Sequence, residues 1–166
     1  MGTPRADRPN IPYGIRPPEE GMGLLPWHRL GERMRSALGY WVATTRPDGR
    51  PHAVPVWGVW LDDTFYFSNG ANSRTGRNLA HDPRVSVHLE SSEDVVIIEG
   101  VAELVEDPAL TAHIASAYAP KYLWYDPVEP WYAVRAEVAF AWIAVNVGGT
   151  PETLYAGSAT RYRFGD

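Results

Sequence analysis

Serine and arginine gather in "SNGANSRTGRNLAHDPR", residues 68–84, at a spacing that could hold an anion. If Ser73 caps a helix beginning near Arg74, its hydroxyl and the first free backbone N–H groups point the same way. The helix dipole adds partial positive charge at that end. Arg74 and Arg77 supply planar, bidentate donors. Together these make a phosphate site without a P-loop. From 73 to 84, three arginines face only Asp82, in a chain whose formal net charge is −5. A capped, solvated surface helix explains the same residues, because helix N-termini suit anions generally and are common.

Other chemistries find little support. The chain has no cysteine, which removes disulfides, thiolate catalysis and cysteine–metal sites. His28, His52, His81, His88 and His113 lack metal-ligand spacing, so no metal site is expected. "GMGLLP" at 21–26 fails as a dinucleotide fingerprint: no strand precedes it, and proline stands where the third glycine belongs. There is no Walker lysine motif and no nucleophile elbow. The acidic balance argues against a general nucleic-acid binder. No apolar run approaches the roughly 20 residues needed to span a bilayer. The first residues lack the apolar centre of a signal peptide, and a soluble cytoplasmic protein is the expectation. Seven Trp and nine Tyr are many for this length; they fill cores, and also line interfaces and pockets for flat ligands.

The elements that must position these residues follow from periodicity. A chain of 166 residues is most simply one domain. Residues 1–23, rich in proline and glycine, read as an extended arm, disordered alone or laid along a neighbour, ahead of a domain over 24–166. Trp27, Leu30, Met34 and Leu38 recur at helical spacing, with Gly39 placed as a C-terminal cap. "YWVATTR" and "PHAVPVWGVWL" flank the turn "PDG" as a hairpin, the second strand edge-like or bulged because of Pro51 and Pro55. "TFYFS", "RVSVHLE", "DVVIIEGVAELVE" (bending at Gly100), "AVRAEVAFAWIAVNV" and "ATRYRF" read as further strands. A helix at "DPALTAHIASAYA" has Asp107 as its N-cap, and "KYLWYDPVEPWY" reads as a loop. Six or seven mostly antiparallel strands with two or three short helices favour a closed or split barrel.

In this order the pieces resemble a known family. The "T-x-x-P-D-G-R-P" hairpin, "P-V-W", "F-Y-F-S", "S-R-x-x-R-N-L-x-x-D-P-R-V" and the closing "A-T-R-Y-R-F" are similar to motifs of the split β-barrel oxidoreductases related to pyridoxamine 5′-phosphate oxidase. They look most like the actinobacterial flavin- and deazaflavin-dependent branch, over about residues 25–164. The resemblance implies a mainly β, six-stranded antiparallel split β-barrel that forms a homodimer, with a cofactor groove at each end of the interface. Ser73, Arg74 and Arg77 would hold the cofactor phosphate, with Asn78 supporting the turn and Thr75 standing where many relatives carry lysine. His52, Ala53, Val54, Pro55 and Val56 would run beside the ring. "HAVPVW" replaces the arginine-rich strand of true pyridoxamine phosphate oxidases, so vitamin B6 chemistry is not expected.

The implied reaction is hydride transfer from reduced coenzyme F420 to an electron-poor double bond of a small apolar molecule. FMN is the alternative cofactor, and a non-catalytic flavin, deazaflavin or haem carrier the alternative function. Trp57, Tyr122, Trp124, Tyr125 and Trp131 would wall the substrate, with Tyr125 as proton donor; the same aromatics could instead cover the barrel end or pack across the dimer. Arg161 and Arg163 would reach the cofactor tail of their own or the partner subunit, or stand as solvated arginines on a final edge strand. A small-molecule substrate is expected, with no nucleic-acid or membrane partner.

Overall fold

In "YWVATT" the side chains of Tyr40, Val42 and Thr44 are buried while Trp41 and Thr45 face outward, the period-two signature of a strand with one core face. That pattern organises the whole chain. The computed structural model describes residues 3–11, 14–123, 129–144 and 151–165, with the backbone alone for 151–154. The elements in order are β1 (Arg5–Asp7), α1 (Trp27–Ser36), β2 (Tyr40–Thr45), β3 (Pro51–Val56), β4 (Gly58–Leu61), β5 (Thr64–Ser68), α2 (Arg74–His81), β6 (Arg84–His88), β7 (Asp94–Leu104), α3 (Pro108–Tyr122), β8 (Trp131–Ile143), α4 (Pro151–Ser158) and β9 (Thr160–Arg163).

All strand pairs are antiparallel, and β8 is the spine. One of its edges pairs with β7 from Asp94↔Ile143 to Leu104↔Tyr132. The other edge is divided: Trp131–Arg135 pair with β5, and Val138–Ala141 pair with β9. The hydrogen-bonded path runs β1-β9-β8-β7-β6-β2-β3, with β5 and β4 branching from β8. Among the described residues the ladder does not close into a barrel, and nine strands replace the expected six. Two differences account for most of the excess. The expected 51–61 strand is interrupted at Trp57, between Val56 and Gly58, leaving β3 and β4 as separate strands. Residues 5–7 of the arm form β1, paired with β9. The bend expected at Gly100 coincides with a register shift against β8, where a Cβ would lie 2.1 Å from the Arg135 carbonyl oxygen. Only glycine fits that approach.

The main core packs Leu30 and Met34 of α1 against Tyr40, Val42, Phe65, Phe67, Val87, Ile98 and Val134. Each such fully buried side chain contributes roughly 1.5–3 kcal/mol. A smaller core under α3 contains Val59, Tyr66, Ile114, Tyr118 and Trp131. α1 stops at Ser36, short of the expected Gly39, and Leu38 is exposed beyond it. The reason is Tyr40, whose hydroxyl meets the Met34 and Ala37 carbonyls and satisfies the helix end from the neighbouring strand. α3 runs on to Tyr122, past Pro120 and into the expected loop, because Tyr118 and Tyr122 pack on Trp131 and Trp57. α4 was not evident in the sequence. The strand expected through Val147 ends at Ile143, and its last positions lie outside the described residues. Among the described residues no helix is long and apolar enough to cross a membrane.

The arm is fastened by charge. Asp7 pairs with Arg161 at 2.8 Å and with Arg163, and Arg8 donates to the Ala159 carbonyl at 2.8 Å and the Gly157 carbonyl at 3.1 Å. The hydrogen bond from Arg161 is the chief reason the Asp7 carboxyl lies below its ordinary value, against the opposing effect of burial. A depressed carboxylate contributes stability above its unfolded value, about 3.9, and loses it as pH falls through the folded one. Thermal melts should therefore show Asp7→Asn less stable than wild type above about pH 5, with the gap closing below about pH 4. A gap unchanged at pH 2 would mean that the carboxylate charge does not hold the arm.

Candidate functional site

The turn after β5 folds back over the first turn of α2. Ser73 has extended backbone and is the N-cap: its hydroxyl oxygen accepts from the Gly76 N–H at 2.9 Å, and its proton goes to the Asn69 side-chain carbonyl. A Cβ on Gly76 would lie 2.5 Å from the carbonyl oxygens of both Gly70 and Ala71, so the tight fold-back requires glycine there. The Arg77 backbone N–H reaches the Ser73 carbonyl at 3.0 Å. The N–H groups of Arg74 and Thr75, at the first two helical positions, have no intrahelical acceptor by construction. They are the donors that an anion would meet.

The arginines divide sharply. Among the described residues the Arg74 guanidinium is exposed and makes no hydrogen bond or ion pair within the chain. Arg77 is spent on the turn, donating to the Asn72 carbonyl. Arg84 pairs with Asp82 at 2.6 Å. Arg161 and Arg163, expected to reach the cofactor tail or to stand solvated on a final edge strand, pair with Asp7 of β1. They also lie far from the turn within one protomer: Ser68 pairs with Trp131, whereas Arg161 pairs with Phe140, about 30 Å further along β8 at the usual rise per residue. The Thr75 side chain is only 2% exposed, so it packs inward and leaves its backbone to the site.

Asn78 joins the turn to the sheet. It is completely buried, and its amide donates to the Thr44 hydroxyl oxygen at 2.9 Å. The Thr44 hydroxyl lies 3.4 Å from the His52 carbonyl oxygen at the start of β3. The Asn78 side-chain oxygen has no partner among the described residues. Pairing of Thr44 with His52, and of Tyr40 with Val56, sets β3 alongside β2. Along β3, His52 and Val54 are half-buried and Val56 is buried, while Ala53 and Pro55 are exposed. The outward face is thus low in relief, and β3 ends the sheet path, so its far edge is unpaired among the described residues. A planar ring fits such a strand: small side chains let it lie close, and an unpaired edge offers backbone groups to its polar rim.

The aromatic wall is only partly assembled. Trp57, 51% exposed, stacks on Tyr122 with centroids 4.9 Å apart and planes 8° from parallel. Trp131 does not join it: at 2% exposure it is packed edge-on against Tyr118 in the smaller core, because β8 begins with it. Trp124 and Tyr125 lie outside the described residues. Two residues that sequence reasoning missed stand close by. Thr44 gave no signal beyond strand alternation. Lys121 gave one, as the chain's single lysine among fourteen arginines; its ammonium donates to the Tyr40 hydroxyl oxygen at 2.7 Å and the Gly58 carbonyl at 3.1 Å.

The family model described as pyridoxamine 5′-phosphate oxidase matches residues 32–150. No curated protein is significantly similar in sequence. Among solved structures, a conserved hypothetical protein from Mycobacterium tuberculosis is 24% identical with a TM-score of 0.62, the alignment covering 75% of this chain and 93% of that one. A haem-binding protein from Mycobacterium smegmatis is 25% identical with a TM-score of 0.58, covering 81% of this chain and 62% of that one. An FAD-binding protein from the same organism is 19% identical with a TM-score of 0.54, covering 84% and 98%.

The anchoring contacts make a ranked prediction. Asn78→Ala breaks a buried hydrogen bond and should cost roughly 1–3 kcal/mol, whereas Ser73→Ala removes a helix cap worth about 1 kcal/mol. Urea titration should find Asn78→Ala the less stable of the two. The reverse order would show that the turn, not the Thr44 contact, holds α2.

Proposed function

The chain belongs to the pyridoxamine 5′-phosphate oxidase family, and from that premise we propose that it is a flavin- or deazaflavin-dependent oxidoreductase whose ring lies along β3 and whose phosphate rests on the N-terminus of α2. The observation that carries this reading is that Arg74, which among the described residues has no partner, opens a helix tied through Asn78 and Thr44 to the His52 carbonyl of β3. Coenzyme F420 is the favoured cofactor, on the strength of the "S-R-x-x-R-N-L" and "A-T-R-Y-R-F" motifs. The favoured substrate is a small apolar molecule with an electron-poor double bond, and vitamin B6 chemistry is not expected from "HAVPVW".

When bound, the cofactor supplies the hydride; the protein binds it, orients it and excludes water. Arg74, with the Arg74 and Thr75 N–H groups, meets the phosphate, where helix dipole and guanidinium add. Arg77 keeps the turn in shape through Asn72. Ala53 and Pro55 give the ring a surface without bulk, while Trp57 shields its end from water. A second copy of the chain would cover the outward face of Trp41, Ala43, Ala53 and Pro55, completing a homodimer with a groove at each end. In that arrangement the partner's copy of the β9 arginines would come nearer the cofactor tail.

Two observations keep rival readings in play. With Arg84, Arg161 and Arg163 all ion-paired, the unpartnered charge beside the turn suits a short single phosphate such as that of FMN. Similarity to the haem-binding protein at 25% identity favours a carrier without turnover. Absorbance of the purified protein and titration with FMN and reduced F420 separate these. Arg74→Ala should weaken binding of the preferred cofactor about 10-fold or more, as expected for a lost charge-assisted hydrogen bond, while Arg84→Ala should change it little. A wild type that binds neither ring, or an Arg74→Ala protein with full affinity, would sink the proposal. Tight binding without turnover on enones would favour the carrier.

A further inference from the structure

The single lysine of the chain is half-buried, an unusual place for the most strongly hydrated of the cationic side chains. Lys121 stands in the last turn of α3 with its ammonium over the rings of Tyr40, 5.0 Å from the centroid, and Tyr122, 5.4 Å away. It donates to the Tyr40 hydroxyl oxygen and to the Gly58 carbonyl. The next residue grips the same glycine: the Tyr122 hydroxyl accepts from the Gly58 N–H at 3.0 Å and donates to its carbonyl at 2.8 Å. Gly58 admits no other residue, since a Cβ there would lie 2.5 Å from both the Phe65 ring and the Tyr66 carbonyl oxygen. Immediately before Gly58 comes Trp57, in the one-residue break between β3 and β4, stacked on Tyr122. Two side chains from one helix turn therefore hold both backbone groups of the residue that aims the indole.

We propose that Lys121 and Tyr122 form a clamp on Gly58 that sets the Trp57 indole at the exit of β3, making Lys121 a positioning residue for a planar ligand along that strand. The ligand part of this inference rests on the reading of β3 as a ring site; the clamp itself does not. The Tyr40 hydroxyl that receives the lysine also caps α1, so the ammonium sits near the negative end of that helix. The titratable groups packed around it are phenols: Tyr40 from β2, Tyr122 on α3, and Tyr118 behind Tyr122. Burial pushes all three up, Tyr122 to about 12, so they stay neutral through the range that matters. Among the described residues no carboxylate forms an ion pair with Lys121, and burial pulls it down to about 8.

Above that pH the amine keeps its N–H donors but loses the charge that strengthens them and attracts it to the rings. The clamp loosens. Stability moves the other way: the unfolded lysine still holds its proton up to about 10.4, so the unfolded state binds more protons from about pH 8 upward and this group's contribution to stability rises with pH. Freer motion of Trp57 in that window is therefore not a sign of unfolding caused by this lysine.

The test reads Trp57 directly, as the emission and acrylamide quenching of wild type minus Trp57→Phe, from pH 6.5 to 9.5 without ligand. Quenching should step upward near pH 8 in the wild type, be high at every pH in Lys121→Met, and show no step in Lys121→Arg, whose charge does not titrate. FMN and F420 affinity, measured over the same range, should weaken by roughly 3- to 10-fold across the step, the scale of one weakened charge-assisted hydrogen bond. The wild-type titration needs no variant to fold. Quenching that is flat with pH in the wild type, or an identical step in Lys121→Met, overturns the clamp. If neither ring binds while the Trp57 step persists, the ring-site reading falls and the clamp on Trp57 stands. If a ring binds with an affinity that ignores the step, Lys121 is no positioning residue for it.

Discussion

One buried hydrogen bond, from the Asn78 amide to the Thr44 hydroxyl, decides where the N-terminal end of α2 lies relative to the sheet. A helix of eight residues has little stability of its own and takes its place from tertiary contacts. Asn78, Leu79, Thr75 and Gly76 are its buried positions, and among the described residues Asn78 is the one of these whose side chain hydrogen-bonds the neighbouring strand. Because Thr44 also faces the His52 carbonyl, the same contact sets the distance between the turn and β3. The rest of the site inherits its geometry from that pair.

Electrostatics then select among the basic residues. The chain has many arginines, but most near the expected groove are neutralised by partners that serve folding: Asp82 holds Arg84, and Asp7 holds Arg161 and Arg163. Partnering of this kind leaves Arg74 as an exposed arginine of the turn with no ion pair among the described residues. The division of β8's edge into two halves has a related effect. It places β5 and the turn at one pole of the strand, and β9 with the fastened arm at the other.

Much of this was legible in the amino-acid order, because local signals agreed with the fold. Alternation marked β2 and β6, short apolar runs marked β5 and β7, Ser73 and Asp107 announced their helix starts, and Gly100 marked the bend. Long-range contacts hid the remainder. No local pattern says that Tyr40 will cap a helix six residues earlier, that residues 5–7 will find residues 161–163, or that packing of Tyr122 on Trp57 will carry α3 through Pro120. That Arg161 and Arg163 would be held by Asp7 was hidden for the same reason, because the pairing spans more than 150 positions. Trp131 was read as pocket-lining because aromatic content does not distinguish a core position from a wall. Thr44 and Lys121 acquire meaning only from what folding brings beside them.

The pairing of β1 with β9 has a consequence for the order of assembly. Its two members are separated by almost the entire sequence, so it cannot form on the ribosome until residue 163 has left the exit tunnel. Until β9 arrives, the C-terminal half of β8 presents a bare, hydrogen-bonding edge to solvent and to other nascent chains. Such late closure favours slow maturation and a need for protection during biosynthesis. The three-residue N-terminal strand then pairs with the outer edge of β9, the strand that covers that part of β8, and so closes the ladder last.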